Sequence, residues 1–191
     1  MMFESGLADL NAGRREAACA SFRRSLTLAN TYLHDILDVS EERLSLWELV
    51  ERVLPDSPQL LLDFAGQQKY QAAQYTAVRH RLAQRALDAL DACDVTEDEK
   101  CHLRASALAV QQRYTEAIAQ GERAVQMRPR QLPWRYELAM LLKDQGNLDA
   151  AHEHARVCAM LNSSSPQYRK LLEEINRARL IAGTHAETAG Q

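Results

Sequence analysis

Two histidines and a cysteine stand close together at His152, His154 and Cys158, and nitrogen and sulfur donors of this kind are what zinc takes as ligands. His154 and Cys158 are one helical turn apart and share a face, with Cys101 and His102 as further candidate ligands. The competing reading makes Cys158 a small apolar filler and leaves both histidines on a polar helix face. It is the stronger one, because Cys158 falls on a repeating core position, so no metal and no other cofactor is expected. Cys101 lies near a helix start, where the dipole lowers a thiol pKa and favours a nucleophile, but burial between helices is the plainer role. All four cysteines, Cys19, Cys93, Cys101 and Cys158, are far apart in helical patterns, which predicts free thiols and a reducing compartment. Trp47 and Trp134 read as anchors packed at helix junctions rather than exposed ligands. No Gly-rich phosphate loop, nucleophile elbow or paired-carboxylate motif is present, so the expectation is a protein that is not an enzyme.

The elements that carry these residues are helices. Seven glycines and five prolines in 191 residues, few β-branched residues and abundant Ala, Leu, Arg, Glu and Gln predict an all-α fold without a sheet. A net charge of -3 with interspersed signs offers no basic surface for a phosphate backbone, so no nucleic-acid partner is expected. The first residues lack a signal-peptide pattern, and no apolar run reaches the roughly 18 to 20 residues of a membrane span, so direct membrane insertion is not expected. That leaves a cytoplasmic protein or the soluble domain of a larger membrane-associated one.

A repeat organises the helices. Ala139, Gly146, Ala151 and Ala155 are spaced seven, five and four, and so are Ala105, Gln112, Ala117 and Gly121, shifted back by 34 residues. Gly6, Gly13, Ala18 and Phe22 repeat the steps a third time. Small residues at such positions let two helices cross closely, and the residue between the helical runs, Gly146 or Gly13, can take φ > 0 and end the first helix. Ala105 is expected to face Ala117, and Ala139 to face Ala151. A further shift back from Ala117, Gly121 and Ala124 reaches Ala83, Leu87 and Leu90.

Elsewhere the pattern is local. Tyr32, Leu33, Ile36 and Leu37 form one short stripe and Leu46, Trp47, Val50, Val53 and Leu54 another, with Ser45 and Glu48 as a capping box. Ser57 and Pro58 open a helix, two helices are expected to meet in a polar connection near 66–78, and Thr96 with Glu99 makes a second capping box. Ser165 and Pro166 start a final helix with Leu171, Leu172 and Ile175 on one face. These readings predict one domain over 1–183, with repeats at about 2–30, an irregular 31–63, then 64–97, 98–131 and 132–165, a cap helix at 166–182, and a flexible tail at 184–191.

On the residues spaced seven, five and four, the chain resembles the tetratricopeptide repeat family, whose period is 34 residues. The resemblance implies a right-handed superhelix of antiparallel helix pairs, here with an irregular middle and a C-terminal capping helix. It also implies a concave face built from first helices: Glu99, His102, Ser106 and Ala109, then Tyr136, Met140 and Lys143, then Lys170 and Glu174. Function would then be a scaffold that binds a protein or peptide partner, as a helix or extended segment. Some family members grip a C-terminal carboxylate in this groove with lysine, arginine and asparagine, whereas His102, Ser106, Tyr136 and Met140 stand here and imply a more apolar ligand. The segments Phe22–Leu26, Leu54–Pro58 and Trp134–Ala139 also resemble repeat-bearing regions of O-antigen ligase-like bacterial membrane proteins. That likeness implies, as an alternative, an accessory domain in envelope polysaccharide assembly; a small metal-binding helical protein is the third reading.

Overall fold

The computed structural model describes residues 2–41, 43–67 and 70–189, and side chains at all of these except 30, 41 and 183–189. Among the described residues every regular element is helical and no strand occurs. The chain divides into two compact units, Met1–Asp94 and Val95–Gln191.

The first unit opens with α1 (Met2–Asn11) and α2 (Arg15–Leu28), a hairpin whose turn residue Gly13 has φ 75°. Gly6 is buried because α1 must pass over the Phe22 ring: a β-carbon at Gly6 would lie 2.5 Å from two ring atoms. A 3-10 turn, Asn30–Tyr32, leads into α3 (Leu33–Glu41), where Leu33, Ile36 and Leu37 are buried as their spacing predicts. The Ser45–Glu48 capping box forms in both directions and opens α4 (Leu46–Glu48), which widens at once into a π-helical turn, Leu49–Val53. The widening places Leu49, Val50, Val53 and Leu54 in the core. It leaves Trp47 48% exposed, so this tryptophan is not the enclosed anchor expected of it.

Two helices, α5 (Pro58–Ala65) and α6 (Thr76–Leu90), follow in place of one long helix. Tyr70 stacks on Phe64 at 4.8 Å and meets Tyr75 edge-on at 5.4 Å, so aromatic rings tie down the otherwise polar connection. Gln68 and Lys69 of that connection lie outside the described residues. Arg85 on α6 is buried and binds the carbonyls of Val50 and Leu54 and the Asp56 carboxylate, closing the C-terminal end of the π-helical turn. Arg23 of α2 reaches the other Asp56 oxygen at 2.7 Å, so Phe22–Leu26 and Leu54–Pro58 meet in space.

The second unit consists of α7 (Glu97–Val110), α8 (Tyr114–Met127), α9 (Leu132–Asp144), α10 (Leu148–Leu161) and α11 (Pro166–Ala189). The α7–α8 and α9–α10 hairpins keep the register of the small residues: Ala105, Ala117, Ala139, Ala151 and Ala155 are all buried. Their turns share one geometry. Gln112 and Gly146 have φ 62° and 76°, and in each turn two successive N–H groups bond back to the helix end, Arg113 to Leu108 with Gln112 to Ala109, and Asn147 to Leu142 with Gly146 to Lys143. The first hairpin repeats this pairing with Arg14 to Asp9 and Gly13 to Leu10.

The Thr96–Glu99 capping box does not form, because the Thr96 hydroxyl is engaged by Asp98 and by Arg128. Leu171 and Ile175 of α11 are buried on the α9–α10 core beside Val125, Leu138 and Leu142. The last helix continues past the expected end at 182, through Ala189. Gly190 and Gln191 lie outside the described residues.

Candidate partner-binding cavity

In the second unit, small side chains leave a hole. Ala105 and Ala109 of α7, Ala117 and Gly121 of α8 and Leu138 and Leu141 of α9 surround a cavity of about 140 Å³. The register explains it. The α1–α2 hairpin fills the space over Gly6 with the Phe22 ring, whereas the α7–α8 hairpin has Gly121 at the place of Phe22 and only Leu138 Cδ1 leaning in, 3.1 Å from where a β-carbon would sit. A site of this size, walled mainly by hydrocarbon, matches one benzene ring or one leucine side chain.

The rim is polar and aromatic. His102 stacks on Trp134 with ring centroids 4.6 Å apart and planes 13° from parallel, and the Arg128 guanidinium lies 5.7 Å from the tryptophan ring. Arg128 is held in turn by an ion pair with Asp98. His102 Nε2 is 3.7 Å from Glu137 Oε2, yet burial pushes the imidazole pKa down to about 4, so the ring is neutral at neutral pH. Ser106 also borders the cavity, completing a serine, a histidine and a carboxylate in one place. Its hydroxyl donates to the His102 carbonyl at 3.2 Å, the helical back-bond, and this geometry does not activate it as a nucleophile.

The nine residues expected on a concave face separate into three groups of three. His102, Ser106 and Ala109 line the cavity. Tyr136 instead tilts against Tyr168 of α11 at 5.4 Å, and Lys143 binds Glu174 at 3.1 Å, so these belong to the contact between α9 and α11. Met140 is 38% exposed, Lys170 is exposed and Glu99 is half-buried; none of the three lines the cavity. The sequence reading missed Trp134, Glu137, Leu138 and Leu141 as lining residues, because it chose the face of α9 one step round the helix. The signal was present in Gly121: a glycine where the first hairpin has a phenylalanine marks a space that something else must occupy.

The residues first considered for metal or nucleophilic chemistry are engaged otherwise. His154 Nδ1 lies 3.1 Å from Arg135 Nη1, a positive neighbour that opposes a cation there. Cys158 is buried with its sulfur 3.7 Å from the Leu132 carbonyl, and burial pushes the thiol pKa up to about 11. His152 faces Glu153 at 3.7 Å. Among the described residues no three histidine, cysteine, aspartate or glutamate side chains gather to hold a metal. Burial also raises the Cys101 pKa against any help from the start of α7, and all four cysteines are free thiols. No helix among the described residues is long and apolar enough to cross a membrane.

In the first unit, Arg23, Glu51, Asp56, Arg81, Arg85 and Asp88 border a recess of about 420 Å³. Its charges satisfy one another. Arg81 binds both Glu51 oxygens at 2.6 and 3.1 Å and lowers that carboxyl's pKa. Burial raises the Asp56 pKa, but bonds from Arg85 and Arg23 outweigh it and leave the group below its ordinary value. This cluster holds the π-helical turn in place. No protein-family model matches the chain, and neither does any curated protein sequence.

Proposed function

We propose that this chain is a tetratricopeptide-like interaction module whose second unit takes an apolar side chain of a partner protein into the cavity between α7, α8 and α9. The observation that supports it most directly is the unfilled space of about 140 Å³ at Ala105, Ala109 and Gly121, opened by small residues at positions where the first hairpin is filled by Phe22. A neutral His102 stacked on Trp134 supplies a flat rim over which a peptide backbone can lie, and Met140, also on α9, offers an adaptable apolar neighbour outside the cavity. An anchor of leucine or methionine size on an extended or helical segment is the matching ligand.

Selection from a displayed random-peptide library tests this reading. Peptides recovered on the wild-type chain should share one aliphatic or aromatic anchor, and Ala109→Phe, which fills the cavity, should weaken their binding at least about tenfold, equivalent to 1.4 kcal/mol. Met140→Ala should weaken it less. Recovered peptides that bind Ala109→Phe as well as the wild type would remove the cavity from the function.

A further inference from the structure

Arg135 carries a half-buried charge and, among the described residues, makes no ion pair with a carboxylate. Its Nη1 donates to His154 Nδ1 at 3.1 Å, its Nη2 donates to the Pro129 carbonyl at 3.0 Å, and its Nε is enclosed without an acceptor. Both partners are neutral: burial, helped by the guanidinium itself, lowers the His154 pKa, so the ring accepts at Nδ1 and keeps its proton on Nε2. Arg85 in the first unit shows the ordinary arrangement, a buried guanidinium binding two carbonyls and also a carboxylate, Asp56. Arg135 has the carbonyl and, among the described residues, no bonded carboxylate. A charge withdrawn from water without a counter-ion is costly, and an anion from outside would relieve that cost.

The place for it is at hand. Arg135 and His154 border a recess of about 370 Å³ whose other walls are Glu122, Val125, Gln126 and Pro129. None of these six residues lines the cavity at His102, so this site is independent of the proposed peptide anchor.

We propose that this recess binds an organic monocarboxylate. One guanidinium balances one negative charge, and its planar donors match a carboxylate. His154 Nε2–H is a second, neutral donor, and Val125 with Pro129 gives the hydrocarbon part of the ligand an apolar wall. Glu122 on the same recess selects against dianions such as phosphate.

Side-chain nitrogen NMR on the full chain tests it, with sodium propionate as the probe and propionamide and inorganic phosphate as controls at matched ionic strength. Propionate should shift the Arg135 Nε–Hε and His154 ring signals saturably, and propionamide and phosphate should not. Arg135→Lys and His154→Ala should each weaken binding about tenfold, and Glu122→Gln should strengthen it. His154→Ala and Glu122→Gln keep the test decisive if Arg135→Lys fails to fold. N-acetyl-leucine binding more tightly than propionate would identify the carboxylate as a chain terminus, and equal binding would identify a small acid; both support carboxylate recognition. The proposal is overturned by the absence of saturable shifts, by equal shifts with phosphate, or by unchanged binding in His154→Ala. It is also overturned if Glu122→Gln alone, without ligand, moves the Arg135 signal as far as propionate does, since Glu122 would then be the counter-ion.

Discussion

Gly6 and Gly121 are both buried helical glycines, and their neighbours give them opposite mutational signs. A methyl at Gly6 meets the fully buried Phe22 ring at 2.5 Å, which has nowhere to go. Gly6→Ala should therefore destabilise by about 1–3 kcal/mol through overpacking, offset only in part by the 0.5–1 kcal/mol gain in helix propensity. At Gly121 the contact is 3.1 Å to the end of a leucine side chain with empty space beside it. Gly121→Ala should be neutral or stabilising by up to about 1 kcal/mol. Urea midpoints of the two variants decide this, and a Gly6→Ala protein more stable than wild type contradicts the packing. His102 makes a pH prediction of its own. Its pKa falls from 6.5 to about 4 on folding, so between those values the unfolded chain binds the extra proton. Stability is unaffected by this group above about pH 6.5 and declines as the pH drops toward 4, by about 3 kcal/mol at most. Melting temperatures across that range should fall less steeply in His102→Phe than in the wild type; parallel curves would show that the imidazole does not carry the effect.

Three helix-ending turns share one hydrogen-bond pattern, and two have the glycine it favours while the third has Gln112 at φ 62°. A side chain in the left-handed region costs about 1–2 kcal/mol. Gln112→Gly should therefore stabilise the α7–α8 hairpin by roughly 1 kcal/mol, and Gly146→Ala should destabilise the α9–α10 hairpin by a similar amount, read from equilibrium unfolding. Matching signs in the two variants would mean that the turns are not equivalent. The hairpins were legible in the sequence because spacing and turn residue act within one short segment. The first unit's middle was not. A π-helical turn and a buried Arg85 closing it join residues from α6 to a segment some thirty positions earlier, and no local pattern announces such a bond.

At the scale of the whole chain, the second unit carries a core of its own, with Val125, Leu138, Leu142, Leu171 and Ile175 buried around Ala139, Ala151 and Ala155. Residues 95–191 expressed alone should unfold cooperatively with helical far-UV circular dichroism; a gradual, non-cooperative melt would show that this core does not suffice. What the amino-acid order settled unaided was the helical class, the three hairpins in common register and the start of the last helix at Pro166, since helix periodicity and turn chemistry are short-range properties. The tertiary structure alone decided that His102 stacks on Trp134, that Gly121 opens a cavity instead of closing a crossing, and that Arg135 bonds to His154 and the Pro129 carbonyl. Such outcomes depend on how side chains distant in sequence divide a shared volume, and a small residue's place in the repeat says only that space exists, not what fills it.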